Sequence, residues 1–206
     1  MTNSDKPLKI AFFSAVAFKC IICLLAIAAV AGGLLSVLHF LLYVSPEEKT
    51  ARAIRKLYGE EKTYEVVTEE PFNVGEMGTN NKIYIVGDKT SSSYDMLFNS
   101  TGNEGYKYGT ITVWVKVTVE NGTYSITQVL LESFDKQTLM SKLGDDYYNG
   151  FLLADITEKC MDGTLFAPHV EKGKIPNVVT GATKSANAGC NAVNCVIKYV
   201  IGEASI

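Results

Sequence analysis

Two threonines, a serine and a glycine fall together near the C-terminus, in the run Thr180-Gly181-Ala182-Thr183-Lys184-Ser185. The run follows an extended apolar stretch, Ile175-Pro176-Asn177-Val178-Val179, and precedes the segment 186–200. In that segment Val193, Val196, Ile197 and Val200 take the spacing i, i+3, i+4 and i+7, which predicts a helix with one apolar face. The six residues therefore stand at a strand-to-helix turn. There the first N–H groups of a helix lack intrahelical partners and the helix dipole favours negative charge, so an anion such as a phosphate suits the position. Gly181 lets the backbone approach such a group without a Cβ in the way. The plainer alternative is a Ser/Thr cap on a glycine turn.

The elements that must hold this turn come from a chain of 206 residues, 47% hydrophobic and 20% charged, with a formal net charge of -3. That length suffices for one domain and an accessory segment. No run is strongly basic, which argues against nucleic acid as a partner. The five cysteines are Cys20, Cys23, Cys160, Cys190 and Cys195. Two of them lie in the apolar N-terminal stretch and the remaining three are an odd number, unlike a disulfide framework. Cys190 and Cys195 are five apart, a poor separation for a bond within one helix. All five read as packing residues. His169 is the only histidine after the N-terminal stretch, so histidine-based triads and multi-histidine metal sites lack material.

From Cys20 to Val44 the chain carries no charged residue, about 37 Å of helix and enough to cross a bilayer. Ala29-Val30-Ala31 resembles a signal-peptidase site, but Leu34 to Val44 continues apolar beyond it, so an uncleaved anchor is expected. Lys6, Lys9 and Lys19 precede the span and Ser45-Pro46-Glu47-Glu48 follows it. The positive-inside rule then places the N-terminus in the cytoplasm and the rest of the chain outside it. Residues 1–45 are expected as tail and transmembrane helix, and 46–206 as an extracytoplasmic domain.

In that domain Pro46 to Tyr58 predicts a helix with Ala51, Ile54 and Leu57 on one stripe, ended by Gly59. Strands are expected at 64–68, 82–87 and 94–98, with 71–81 as a loop. Gly105 to Gly109 reads as a glycine-tyrosine turn. Thr110 to Val119 alternates cleanly, with Ile111, Val113, Val115, Val117 and Val119 on one face. Asn121-Gly122 predicts a tight hairpin into a partner strand at 125–132. Asn99-Ser100-Thr101 and Asn121-Gly122-Thr123 both read as turn chemistry. Asp145 to Thr157 is compatible with loop or helix. The succession predicts an α+β domain, a twisted, mostly antiparallel sheet with flanking helices.

The run at 180–183 resembles the (S/T)-G-A-T motif of an FMN-binding domain family. That family is shared by the flavin-bearing, membrane-anchored components of the Rnf electron-transport complex (RnfG) and of the sodium-pumping NADH:quinone reductase (NqrC). The order of parts is similar too: an apolar N-terminal helix, a charged helix, Gly105-Tyr106 to Gly109, a long strand, an Asn-Gly hairpin, then Thr138 and Leu143-Gly144. The family carries a Glu-Thr-Pro-Gly-Leu-Gly-like segment beside its flavin. Here Gln137 stands in place of the glutamate, and residues are inserted before Leu143-Gly144. Asn177 takes the place, six residues before the last threonine, where the family usually has aspartate.

The resemblance implies covalent FMN, held through a phosphoester to Thr183. Thr180, Gly181, Ala182, Lys184 and Ser185 would surround it, and Thr138, Leu143 and Gly144 would lie near. Lys172 and Lys174 are further candidate counter-charges, and Tyr106, Tyr108, Tyr147 and Tyr148 are candidate walls for the ring. It implies an electron-transfer component of an ion-translocating ferredoxin:NAD oxidoreductase rather than a stand-alone enzyme. Its partners would be the other membrane and redox subunits and, for maturation, a flavin transferase. The alternative is a membrane-anchored extracellular binding or adaptor domain without redox chemistry. The topology has its own check: a C-terminal reporter active only in the cytoplasm is expected to stay silent, and strong activity from it contradicts the orientation.

Overall fold

The computed structural model describes residues 6–68, 70–156 and 182–204. The chain divides into two compact units, one through Thr50 and one from Ala51 onward. In the first, helix α1 (Lys6–Leu42) is continuous, and from Phe18 to Leu42 its apolar side chains are exposed. It is the one helix among the described residues long and apolar enough to cross a membrane. Helix α2 (Pro46–Tyr58) follows after three residues. Ser45 Oγ accepts the Glu48 N–H at 3.2 Å, Pro46 takes the first helical position, and acidic Glu47 and Glu48 sit at the positive end of the dipole. Gly59, at φ 74, ends the helix by donating its N–H to the Arg55 carbonyl at 2.9 Å.

The second unit is built on a six-stranded antiparallel sheet. Its strands are β1 (Tyr64–Thr68), β2 (Phe72–Asn73), β3 (Gly78–Val86), β4 (Ser93–Gly102), β5 (Ile111–Glu120) and β6 (Thr123–Phe134), in the order β1-β3-β4-β5-β6 with β2 also paired to β3. Asn121 and Gly122 take φ values of 50 and 82 at the β5–β6 turn, the two left-handed residues that a two-residue hairpin of this kind demands. Helix α3 (Asp145–Asn149) and helix α4 (Thr183–Ala204) complete the unit. The α+β architecture expected from the sequence is the one observed.

The alternation in β5 sorts the two faces. Ile111, Val113, Val115, Val117 and Val119 join a core with Phe98, Phe151 and the Val193, Val196, Ile197 and Val200 stripe of α4. Trp114 faces the other way, into a smaller core with Ala53, Ile54 and Leu57 of α2, Tyr84 and Leu97. Lys116 is on that second face as well, its ammonium 3.2 Å from Asp95 and 4.3 Å from the centre of the Tyr58 ring.

β6 outruns its expected 125–132 by two residues at each end, and β3 and β4 are longer still, with one cause for both. β3 begins at Gly78, inside the expected loop, and β4 runs through Asn99-Ser100-Thr101 to Gly102, where the sequence suggests turn chemistry. These stretches lack apolar alternation because they meet the backbone of α4. Asn80 Nδ2 donates to the Cys195 carbonyl at 2.9 Å, and Ser100 Oγ donates to the Ala192 carbonyl at 2.7 Å. A register shift between Asn80 and Lys82 turns both Asn80 and Ile83 toward α4. At Gly102 a Cβ would overlap the Ala188 carbonyl oxygen and the Ala192 nitrogen.

Gly102→Ala is therefore expected to lower stability by about 1–3 kcal/mol, as overpacking does. Gly202→Ala, in α4 with nothing within 4 Å of the added methyl, is expected to raise it by about 0.5–1 kcal/mol. Urea unfolding read by the single, buried Trp114 checks both; the same sign for the two would contradict the close approach.

Candidate functional site

The start of α4 is placed by three contacts. Gly102 seats the helix on β4, as above. Tyr147 of α3 donates its hydroxyl to the Ala186 carbonyl at 2.8 Å, and Gly189 leaves room for its ring, since a Cβ there would meet the Tyr147 oxygen. The third contact is Gln137, just beyond β6. Its Oε1 accepts the Ser185 hydroxyl at 2.8 Å and the Tyr106 N–H at 3.0 Å. Its Nε2 donates to the Asp135 carbonyl at 2.8 Å and to the Tyr106 carbonyl at 3.4 Å. One buried amide thus joins the end of β6, the Gly105–Gly109 turn and the first turn of α4.

That glycine-bracketed turn is tightly specified. Gly105 N–H donates to the Gly109 carbonyl at 2.9 Å, and Tyr106–Tyr108 form a single 3-10 turn. A Cβ on Gly105 or on Gly109 would lie 2.5 Å from Gln137 Nε2. Glu104, Lys107 and Tyr108 are left-handed at φ 64, 52 and 58, a conformation that costs side-chain-bearing residues energy. Tyr108 is almost fully exposed and Tyr106 partly so. Lys107 lies over the Tyr106 ring, 5.4 Å from its centre.

Between this turn and α4 runs a cleft of about 560 Å³, lined by Glu104 to Tyr108, Lys184 and Asn187. Two lysines and one glutamate give its wall a net positive charge. Thr183 is the first residue of α4, exposed, and one helical turn before Asn187. The helix N-terminus, the lysines and the two tyrosines suit a planar group bearing an anionic arm.

Comparison with family models, curated proteins and solved structures yields no match.

The residues singled out from the sequence are distributed as follows. Ala182 is buried beneath the helix start, Thr183 and Lys184 are exposed, and Ser185 is buried on Gln137. Thr138, next to Gln137, is exposed. Leu143 packs in the main core, and Gly144 opens α3 with its carbonyl accepting the Tyr147 N–H at 3.0 Å; neither lines the cleft. Tyr147 and Tyr148 are core residues rather than ring walls, because α3 turns both inward. Thr180, Gly181, Asn177, Lys172, Lys174, His169 and Cys160 lie outside the described residues.

Gln137 enters the sequence reading only as the stand-in for the family's glutamate, with no role of its own, and Asn187 and the Asn191 contacts have no counterpart there. Asn191 Nδ2 donates to the Asn103 carbonyl at 3.0 Å and to Glu104 Oε2 at 3.4 Å, tying α4 to the entry of the turn. The available signal was Asn187, Asn191 and Asn194 at i, i+4 and i+7. Asparagine is a poor helix former, so a buried stripe of it points to specific bonding.

Beneath the site Cys190 and Cys195 are free and buried. Burial pushes both thiols from an ordinary value of 9.0 up to about 12, against smaller lowering from Tyr147 and Ser100 respectively. Burial also holds Tyr147 and Tyr148 well above the usual tyrosine range. The folded state thus keeps protons that the unfolded chain releases, so stability falls as pH rises through 9. Urea unfolding at increasing pH is expected to show that fall, and a Cys190→Ala, Cys195→Ala double variant should flatten its onset. An unchanged pH profile in that variant contradicts the assignment.

Proposed function

We propose that this chain is a membrane-anchored flavoprotein that holds FMN through a phosphoester to Thr183, and that it relays electrons within an ion-translocating, Rnf-type ferredoxin:NAD oxidoreductase. The observation that carries the reading is the Ser185–Gln137 hydrogen bond. It joins two segments 48 residues apart that the resemblance pairs beside a flavin, and it lies beneath Tyr106 and Lys184, which line the neighbouring cleft.

The residues fit the group. Thr183 is an exposed, hydroxyl-bearing residue at a helix start, where a phosphate charge gains about 0.3–1 kcal/mol from the dipole. In forming the ester Thr183 Oγ1 gives up its proton and bonds the phosphorus of the flavin donor, while the bond from that phosphorus to the donor's leaving group breaks and that group departs with its oxygen; relative to free FMN the attached group lacks one water. Lys184 and Lys107 supply counter-charge, and Tyr106 and Tyr108 supply aromatic surface beside the cleft. Bound FMN would supply the electron transfer itself, and the protein would place it. A covalent tether removes dissociation, which matters on the outer side of a cell membrane, the side to which the charge pattern assigns this domain. α1 would hold the domain in that membrane, among the other members of the complex.

Thr183→Ala, made alongside a competent flavin transferase, is expected to give a folded, membrane-bound chain without covalent flavin, with stability changed by no more than about 0.5 kcal/mol, since Thr183 is an exposed first helical residue and not the cap. Thr180→Ala is expected to keep it. Fluorescence of the denatured band in a gel reads both. Flavin retained in Thr183→Ala overturns the site; its absence from the unaltered chain overturns the function and leaves the adaptor-domain reading.

A further inference from the structure

We propose that Gln137 is the positioning residue of the cleft: its carboxamide holds the strained Gly105–Gly109 turn against the first turn of α4, and so sets where Tyr106 and Tyr108 stand relative to Thr183. The latch itself is independent of any ligand. Its consequence for a flavin ring rests on the proposed function above.

The amide's direction is unambiguous, because the backbone partners cannot exchange roles. The Tyr106 N–H can only donate, so the atom facing it is Oε1; the Asp135 and Tyr106 carbonyls can only accept, so the atom facing them is Nε2. With the Ser185 hydroxyl on Oε1, both ends of the amide carry two bonds. A carboxylate in its place keeps the acceptor and loses both donors, leaving its oxygen against two carbonyls. An apolar side chain of similar length loses all four bonds.

Gly105 and Gly109 mark the same site, since a Cβ on either would intrude on Nε2. The turn needs an outside hold, because Glu104, Lys107 and Tyr108 are left-handed without being glycine. Gln137 bonds both the N–H and the carbonyl of Tyr106, the residue between those strained positions. Asn191 grips the entry of the turn from the helix side, through Asn103 and Glu104.

The experiment is amide hydrogen exchange on the full chain in detergent, comparing the unaltered protein with Gln137→Glu and Gln137→Met. Exchange over 104–110 is expected to rise at least about tenfold in both variants, with β5 and the second half of α4 unchanged. Lowering the pH should restore protection in Gln137→Glu, where the protonated carboxyl regains one donor, and not in Gln137→Met. Asp135, Lys136, Glu104, Lys107 and Lys184, the charged groups of the neighbouring segments, are common to all three proteins and cancel in the comparison. Unchanged exchange over 104–110 in both variants, or no difference between them at low pH, overturns the latch. Should Gln137→Glu fail to fold, Ser185→Ala carries the test with a smaller rise confined to the same stretch, and no rise overturns the proposal.

Flavin fluorescence anisotropy separates this inference from the one beneath it. Attached flavin that becomes more mobile in Gln137→Glu while still bonded to Thr183 supports the positioning role, and attached flavin of unchanged anisotropy overturns it. No flavin in the unaltered chain overturns the proposed function alone, and exchange still decides the latch.

Discussion

The backbone of α4 lies directly on the backbone of β4 at Gly102, with no side chain between them. The rest of the domain is arranged around that contact. A helix so close to a sheet leaves its carbonyls facing strand positions where a large apolar residue cannot fit. Ser100 and Asn80 occupy those positions and donate to the Ala192 and Cys195 carbonyls. Further along α4, its valine and isoleucine stripe packs into the main core. Close packing at one end and aliphatic filling at the other fix the helix along its axis as well as across it.

Axial position is what a site at a helix terminus requires. Thr183 is located by α4, and α4 is located by Gly102, by Tyr147 on the Ala186 carbonyl and by Gln137 on Ser185. The Gly105–Gly109 turn takes its position from the same glutamine. The cleft wall and the helix start are thus tied to one amide rather than to two separate parts of the core. The opposite face of the sheet is closed by α2 through Ala53, Ile54 and Leu57, independently of the site. The same helix follows three residues after the apolar α1.

Much of this was legible in the residues. The β5 alternation, the Asn121-Gly122 hairpin, the capped α2 and the apolar stripe of α4 each follow from a local period or a turn requirement, and each stands where the pattern puts it. The ends of β3 and β4 did not, because Asn80, Ser100 and Gly102 look like turn residues unless the helix that covers them is known. Tyr147 and Tyr148 read as candidate walls for a ring for the same reason; only the packing of α3 shows that they face inward. In the site, a helix beginning just after the threonine run and the glycine-bracketed turn were readable from local chemistry, although α4 starts at Thr183, three residues earlier than the apolar period indicates. The role of Gln137 was not, since its four partners come from three segments separated in sequence, and no local period encodes such a meeting.

The central claim is that Thr183 is an ester-bearing residue and not only the first residue of a helix. The most direct measurement is mass mapping of the unaltered chain produced with a flavin transferase. Cleavage after Lys174 and Lys184 releases residues 175–184 as one peptide, which holds both Thr180 and Thr183. The expected peptide is heavier by one FMN less one water, with fragment ions placing the increment on Thr183. An unmodified peptide, or an increment on Thr180, contradicts it.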